Sequence, residues 1–396
     1  MLMGAFGPSD GLFAKALHFV FFAFGPSTAG TIYAFGYTLL TGVLLNFVFG
    51  VFATRVMIRG AASIKALRNP WLYGAVKPGK EVKEKKPIDF VGLRKRFLTI
   101  STCLMAAIIL CAAVFGVRLD TEFTGGAMIT LSYQGEISTS EVQKTASTAL
   151  ENNGSTLQTG ENVATGEQTL KISMPGNETV TTDQVENLLT SLNEQYPDNA
   201  FAQLSLSNVS AAMGTKFLQK SLVAVVFSLL LILLYIGFRF KKIGGLTGGL
   251  MAVLALLNDL MVVLWHLCAA AHPLDGNFIA AMLTILGYSI NDTVVVYDRI
   301  RENRALMGKK TPFEELVNHS VNQSARRTII TTVTTVMALG VMCVVSKLYG
   351  LDSIFTFAFP LMMGMLSGVY TSLCVSTSAW VLWNDRKSKK AETKKA

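Results

Sequence analysis

Charge is what this chain has little of. Charged residues fill only 15% of its 396 positions, against about 25% in soluble globular domains. That shortfall excludes an ordinary soluble enzyme. Nucleotide chemistry is missing too. The one glycine-rich stretch, Gly244-Gly245-Leu246-Thr247-Gly248-Gly249, is not followed by Gly-Lys-Ser/Thr, so it makes no phosphate-cradling loop. Its two overlapping GxxxG registers read as close helix packing. None of the five cysteines (Cys103, Cys111, Cys268, Cys343, Cys374) falls between residues 119 and 217, and no two are spaced C-x-x-C. A disulfide framework and a cysteine metal site are therefore excluded. No metal, cofactor or catalytic spacing is expected, and the chain does not read as an enzyme.

Apolar residues, by contrast, make up 51% of the chain. Runs long enough to cross a hydrocarbon core of about 30 Å recur at 31–54, 97–117, 218–238, 243–267, 277–298, 328–346 and 354–383. A weaker run near 12–24 is broken by Lys15 and His18. The pattern predicts a polytopic α-helical membrane protein.

The net charge of +9 conceals an asymmetry. Residues 119–217 carry 12 acids but only Lys144, Lys171 and Lys216 as bases, a net of −9, which leaves +18 for the rest. The positive charge gathers in the linker Arg55–Arg96, the turn Arg239-Phe240-Lys241-Lys242, the loop Arg299–Arg327 and the tail Arg386–Lys395. The positive-inside rule makes these four segments cytoplasmic. Alternation of the spans then puts 119–217, 268–276 and 347–353 outside. Basic loops beside spans are expected of membrane proteins, so the charge does not point to nucleic acid.

Residues 119–217 form a separate water-soluble domain. Strand patterns cover Met128–Tyr133 and Phe201–Val209, with a hairpin of Thr156–Ala164 and Gln168–Met174 around Gly166. Helix patterns cover Thr139–Asn152 and Thr181–Tyr196, the second started by Thr181 or Thr182 and ended by Pro197. The order βαββαβ is that of a ferredoxin-like α+β fold. The domain has no histidine, no cysteine and no paired acids, so it reads as a binding or moving part. Residues 60–96, with Pro70, Pro78 and Pro87 among Lys and Glu, read as an extended linker.

Sliding the last span against the first by 322 positions aligns Ile32 with Ile354, Phe35 with Phe357, Leu39 with Leu361, Gly42 with Gly364 and Leu44 with Leu366. Both spans also run into a basic segment. An internal repeat of this kind implies that the chain starts near the end of one bundle and carries a whole second one, an amino-terminally incomplete two-repeat transporter.

One residue breaks the apolar pattern of its span. Asp292 lies in Gly287-Tyr288-Ser289-Ile290-Asn291-Asp292, six residues before the Asp298-Arg299 border, and a charge at a bilayer centre costs about 2.5–3.5 kcal/mol on insertion scales. Tyr288, Asp292, Val295 and Arg299 share one helix face. The next span opens with Arg326-Arg327-Thr328, and Thr328, Thr331 or Thr332, and Thr335 make a hydroxyl stripe at helical spacing. The pattern reads as a proton relay, with Arg327 biasing and bonding Asp292 while Thr331 and Thr335 help carry the path. A static ion pair is the alternative. Asp259, after Asn258 on the preceding span, reads equally as a second protonatable station or as a helix-bonding group. His266 and His272 lie near the outer surface, and His319 sits in Pro312–Gln323, which reads as a short interfacial helix.

These motifs resemble one family. Gly287–Asn303 and Ser320-Val321-Asn322-Gln323-Ser324-Ala325-Arg326-Arg327-Thr328 look like the fourth and fifth membrane segments of SecF, the protein-export membrane protein. Glu122-Phe123-Thr124-Gly125-Gly126 is similar to that family's Asp-Phe-Thr-Gly-Gly. Residues 31 to 60 resemble the last span of SecD, so the chain is similar to a fused SecDF lacking most of SecD. The resemblance implies an RND-type six-helix bundle with one extracytoplasmic ferredoxin-like domain, preceded by one extra SecD-like helix, or two if the run at 12–24 also crosses. The divisions are then 1–59 SecD-like, 60–96 linker, 97–118 first SecF-like helix, 119–217 outer domain, 218–383 five further helices and 384–396 a basic tail.

The resemblance also implies function. It assigns the chain to the cytoplasmic membrane, where it works with SecD and the SecYEG channel, indirectly with SecA, and with YajC. The substrate is unfolded preprotein, and the proton motive force completes its export after SecA has acted; H⁺ or Na⁺ would suit the carboxylate. The family's functional pair falls on Asp292 and Arg327, with Arg326 as an extra neighbour. Its motif positions fall on Glu122, Phe123, Gly125, Gly126, Gly287, Asn291, Asp298 and Arg299. Glu122 replaces the family's Asp, and Asn258 stands where a His usually precedes Asp259. An RND-type exporter of lipid or small hydrophobic molecules is the alternative, but it calls for apolar pockets in a domain that is acidic, small and poor in aromatics. A scaffold without transport predicts that Asp292→Asn is harmless.

Overall fold

The computed structural model describes residues 30–65, 68–69, 87–135, 137–150, 155–161, 167–175, 180–270, 273–308 and 310–393. The run at 12–24, most of the linker, the Gly166 turn and His272 lie outside the described residues. Among the described residues seven helices are long and apolar enough to cross a membrane, and they correspond one to one with the seven apolar runs. The chain is a multi-pass α-helical membrane protein carrying one small sheet domain. Its residues form two compact units, 27–88 and 89 onward.

In the first unit, α1 (Gly30–Leu45), a π-helical stretch (Asn46–Ala53) and α2 (Thr54–Ser63) follow one another in continuous helical backbone. Phe47, Phe49 and Phe52 are exposed along it, as the side chains of a lipid-facing span are.

The second unit starts with α3 (Arg94–Phe115), followed by the short α4 (Thr121–Thr124) and the sheet domain. The domain runs β1 (Gly126–Tyr133), α5 (Thr139–Ala149), β2 (Thr156–Glu161), β3 (Gln168–Pro175), α6 (Thr182–Gln195) and β4 (Ala202–Val209). The strands are ordered β2-β3-β1-β4 and every neighbouring pair is antiparallel, which is the ferredoxin-like arrangement expected. Alternation along β1 buries Ala127, Ile129, Leu131 and Tyr133, so one face of the sheet is apolar. Val142 and Ala146 of α5 and Val185, Leu188 and Leu192 of α6 cover that face. Thr181 and Gln184 close a capping box at the start of α6, and Pro197 opens the 3₁₀ turn that ends it. Lys171 alternates with Leu170 and Ile172 and so projects from the opposite face.

Five more membrane segments follow: α7 (Ala211–Arg239), α8 (Gly245–Ala270), α9 (Gly276–Met307), α10 (Phe313–Leu348) and α11 (Asp352–Tyr370). The last continues through a π-helical stretch (Thr371–Ser376) into α12 (Thr377–Thr393). The glycine run is a helix contact. A side-chain carbon at Gly245 would lie 2.5 Å from the Gly237 carbonyl oxygen, and one at Gly248 would lie 3.1 Å from the Trp380 ring. The segment Pro312–Gln323 is not a separate interfacial helix, because α10 runs unbroken from Phe313. Its apolar side chains Leu316, Val317 and Val321 are buried in a core shared with Val296, Tyr297 and Ile300 of α9.

The two ends of the bundle sort by charge. At one end the sheet domain meets the segments before α9 and after α10. Leu119 bridges Leu274, and Thr159 donates to the Gly350 carbonyl. At the other end Arg94 pairs with Glu314 and Asp385, and Arg239 with Asp298 at 3.2 Å.

Candidate functional site

Asp292 sits midway along α9, half-buried, where α9 packs against α10. Its carboxylate Oδ2 accepts from Thr332 Oγ1 at 3.4 Å. Arg327 acts on it electrostatically, but no direct ion pair joins them among the described residues. Arg326 and Arg327 are exposed. The predicted threonine stripe divides. Thr332 faces the carboxylate, and Thr328, one turn earlier, is buried with an unpartnered Oγ1. Thr331 and Thr335 instead donate to carbonyls of their own helix, Arg327 O at 2.9 Å and Thr331 O at 3.0 Å. Among the motif positions, Gly287 and Asn291 are exposed. Asp298 pairs with Arg239 and with Arg301 at 2.6 Å, and Arg299 with Glu302 at 2.8 Å.

Asp259 is the more enclosed carboxylate, with no exposed surface. Three hydroxyls from outside its own helix converge on it. Ser289 of α9 donates to Oδ2 at 2.6 Å, Ser367 of α11 to Oδ1 at 2.6 Å, and Thr371 of the π-helical stretch lies 2.9 Å from both oxygens. A buried carboxylate requires such partners. Asn258 takes no part in this cage, because it donates to Ser101 of α3 at 2.6 Å. Both residues thus bond neighbouring helices, Asp259 as a knot tying three membrane segments together and Asn258 as a tie to α3.

From that knot a polar seam continues that sequence reading missed. Ser289, Thr293 and Tyr297 lie four residues apart on α9 and meet Ser372 and Ser376 across the interface. Thr293 Oγ1 and Ser372 Oγ are 2.8 Å apart, and Tyr297 OH and Ser376 Oγ 2.5 Å. The signal was present as hydroxyls at helical spacing and as the run Thr371-Ser372 and Ser376-Thr377-Ser378. The π-helical pitch of Thr371–Ser376 turns these side chains inward, and all six of its residues are buried. π-Bulges of this kind recur at functional sites. Below the seam, Tyr297, Trp380, Phe240 and Phe313 close the basic end as an aromatic cluster.

At the opposite end, Glu122-Phe123-Thr124-Gly125-Gly126 forms a joint. Phe123 is buried and stacks on Phe217 of α7 with ring centroids 5.2 Å apart. Gly125 has φ +80°, and a side chain there would lie 2.5 Å from the Ala211 backbone nitrogen. Glu122 Oε2 accepts from the Gly276 backbone N–H of α9 at 2.9 Å. The motif thus seats the sheet domain on the first turns of α7 and α9.

Residues 188–386 match the family model for the protein export membrane protein SecD/SecF, C-terminal domain. The chain is 30% identical over 310 residues to protein translocase subunit SecF of Alicyclobacillus acidocaldarius, covering 78% of this chain and 96% of that one. It is 28% identical over 383 residues to protein translocase subunit SecDF of Bacillus subtilis, covering 94% of this chain and 49% of that one. The crystal structure of SecDF, a translocon-associated membrane protein from Thermus thermophilus, superposes with a TM-score of 0.66 at 26% identity, over 86% of this chain and 43% of that one. The chain therefore spans about half the length of its SecDF relatives and nearly all of its SecF relatives.

Proposed function

Because the chain belongs to the SecD/SecF family of protein export membrane proteins, we propose that it is the SecF-type part of a Sec translocase. In this reading it lies in the cytoplasmic membrane with the sheet domain outside, handles unfolded preprotein emerging from the SecYEG channel, and draws on the proton motive force after SecA-driven insertion. SecD and YajC are its expected companions.

The observation that carries this reading is the placement of Asp292. A titratable group lies half-buried between two packed membrane helices, held by Thr332 and within the field of Arg327. Ionised, the carboxylate draws the Arg327 guanidinium and the Thr332 hydroxyl towards α9. Protonated, it loses the charge that attracts Arg327, and the α9–α10 contact loosens. One charge crossing 100 mV is worth about 2.3 kcal/mol, enough to shift such a contact. Asp259 is the second protonatable station, its three hydroxyls able to donate to the carboxylate or accept from the carboxyl. The movement has a stiff path to the sheet domain. Gly276, which Glu122 holds, precedes Asp292 by 16 residues of the same helix, about 24 Å at 1.5 Å per residue.

The test is an export assay in cells depleted of SecF, comparing wild type, Asp292→Asn and Arg327→Ala, with and without separately supplied SecD. Export is expected from the wild type with SecD and from neither variant. Full export by both variants would overturn the relay.

A further inference from the structure

Three carboxylates meet one cation where the sheet domain joins α9. Asp120 has 1% of its surface exposed and Asp275 3%. Asp120 caps α4 through Oδ1, which accepts from Thr121 N–H at 2.8 Å, while its Oδ2 is buried without a hydrogen-bond partner. Asp275 caps α9, accepting from Phe278 N–H at 2.9 Å, and Asn277 donates to its other oxygen at 3.3 Å. Glu122 holds the Gly276 N–H of the same helix end. Lys171 of β3 lies 3.4 Å from Glu122 and 3.9 Å from Asp120. Backbone stitches the same spot together, with Asp120 N–H on Leu274 O at 3.0 Å and Leu274 N–H on Arg118 O at 2.8 Å.

The junction is short of positive charge. One ammonium and the partial charge of a helix start face three acids, and one buried acid oxygen, Asp120 Oδ2, has no hydrogen bond and only the distant Lys171 ammonium at 3.9 Å. Among the described residues no set of acids converges closely enough to hold a metal ion. The ligand that this chemistry leaves is a proton. We propose that Asp120, Glu122, Asp275 and Lys171 form an outer proton-binding latch, in which taking up one proton tightens the union of the sheet domain with α9. The latch rests on the export reading for its orientation, since it places the cluster on the proton-rich face of the membrane and at the head of the helix that carries Asp292.

The electrostatic surroundings of Asp275 agree with the geometry. Burial, foremost, pushes the Asp275 carboxyl up to about 6, with Glu122 and Asp120 adding to the rise and the Phe278 N–H and Lys171 opposing it. The sign follows. A carboxyl raised in the folded junction above its ordinary 3.8 weakens the junction while ionised, and that cost is relieved as pH falls through the raised value. Between about pH 7.5 and 5.5 the closed junction gains about fourfold over the open one.

Hydrogen exchange of the full chain in detergent, corrected for intrinsic rates, tests this. Protection of 118–124 and 274–280 is expected to rise about fourfold on that acidification in the wild type. Asp275→Asn, which keeps the cap, should be protected at both pH values and flat. Lys171→Met should move the response to higher pH. A flat wild type, a wild-type response in Asp275→Asn, or an equal loss at both pH values in Lys171→Met would each overturn the latch. Asp292→Asn should keep the response whether or not export depends on Asp292, so failure of the relay and failure of the latch remain distinct.

Discussion

Ser289 Oγ donates to Asp259 Oδ2 at 2.6 Å, and its own carbonyl accepts from Ser372 Oγ at 3.2 Å. One residue of α9 is thereby tied to α8 by its side chain and to the π-helical stretch by its backbone. In a bilayer, where apolar contact with a neighbouring helix replaces apolar contact with lipid, such polar ties set which helices stay together.

Asp259→Leu leaves Ser289, Ser367 and Thr371 without their shared acceptor and should lower stability by about 2–4 kcal/mol. Asp259→Asn keeps acceptor capacity on one atom and should cost less than half of that. Thermal unfolding in detergent reads the difference, and equal losses would show that the hydroxyls find other partners.

The threonines of α10 separate by partner. Thr332→Val removes the hydroxyl bonded to Asp292 and should slow export by about tenfold or more, since a hydrogen bond to a charged group is worth about 1.5–3 kcal/mol. Thr331→Val removes a bond to its own helix and should leave export within about twofold. Export kinetics of the two variants side by side decide this.

Gly125 supplies a backbone conformation that other residues avoid, at a point of close approach. Gly125→Ala should destabilise the joint by about 2–4 kcal/mol, from strain at positive φ together with displacement of the start of α7. Gly214→Ala meets the same contact from the other side, 2.7 Å from the Gly125 nitrogen. The two changes together should cost less than the sum of each alone, because either one opens the gap. Stability measured for both single variants and the double variant tests the shared contact.

What could be read from the sequence depended on range. The seven spans and the βαββαβ order follow from local periodicity, and Asp292 stood out because a charge in an apolar run has no local partner. The hydroxyl seam did not stand out. Serine and threonine in membrane helices mostly bond a carbonyl of the preceding turn, as Thr331 and Thr284 do, and only the partner across the interface separates Thr293 from these. The joint is non-local as well: Glu122 meets a lysine 49 residues on and a backbone amide 154 residues on. The separate helix over Pro312–Gln323 was misread because an amphipathic face looks the same whether it meets a membrane surface or α9. No breaker between Gln323 and Thr328 stops the helix.

In the proposed function the ion gradient acts through Asp292. The direct measurement is the rate of late-stage preprotein translocation in membrane vesicles, before and after the proton gradient is collapsed by an uncoupler, for wild type and Asp292→Asn. The wild type should slow by about tenfold, which corresponds to about 1.4 kcal/mol of lost drive. Asp292→Asn should be slow from the start and indifferent to collapse. A variant that translocates at the wild-type rate, or slows by the same factor on collapse, would contradict the account.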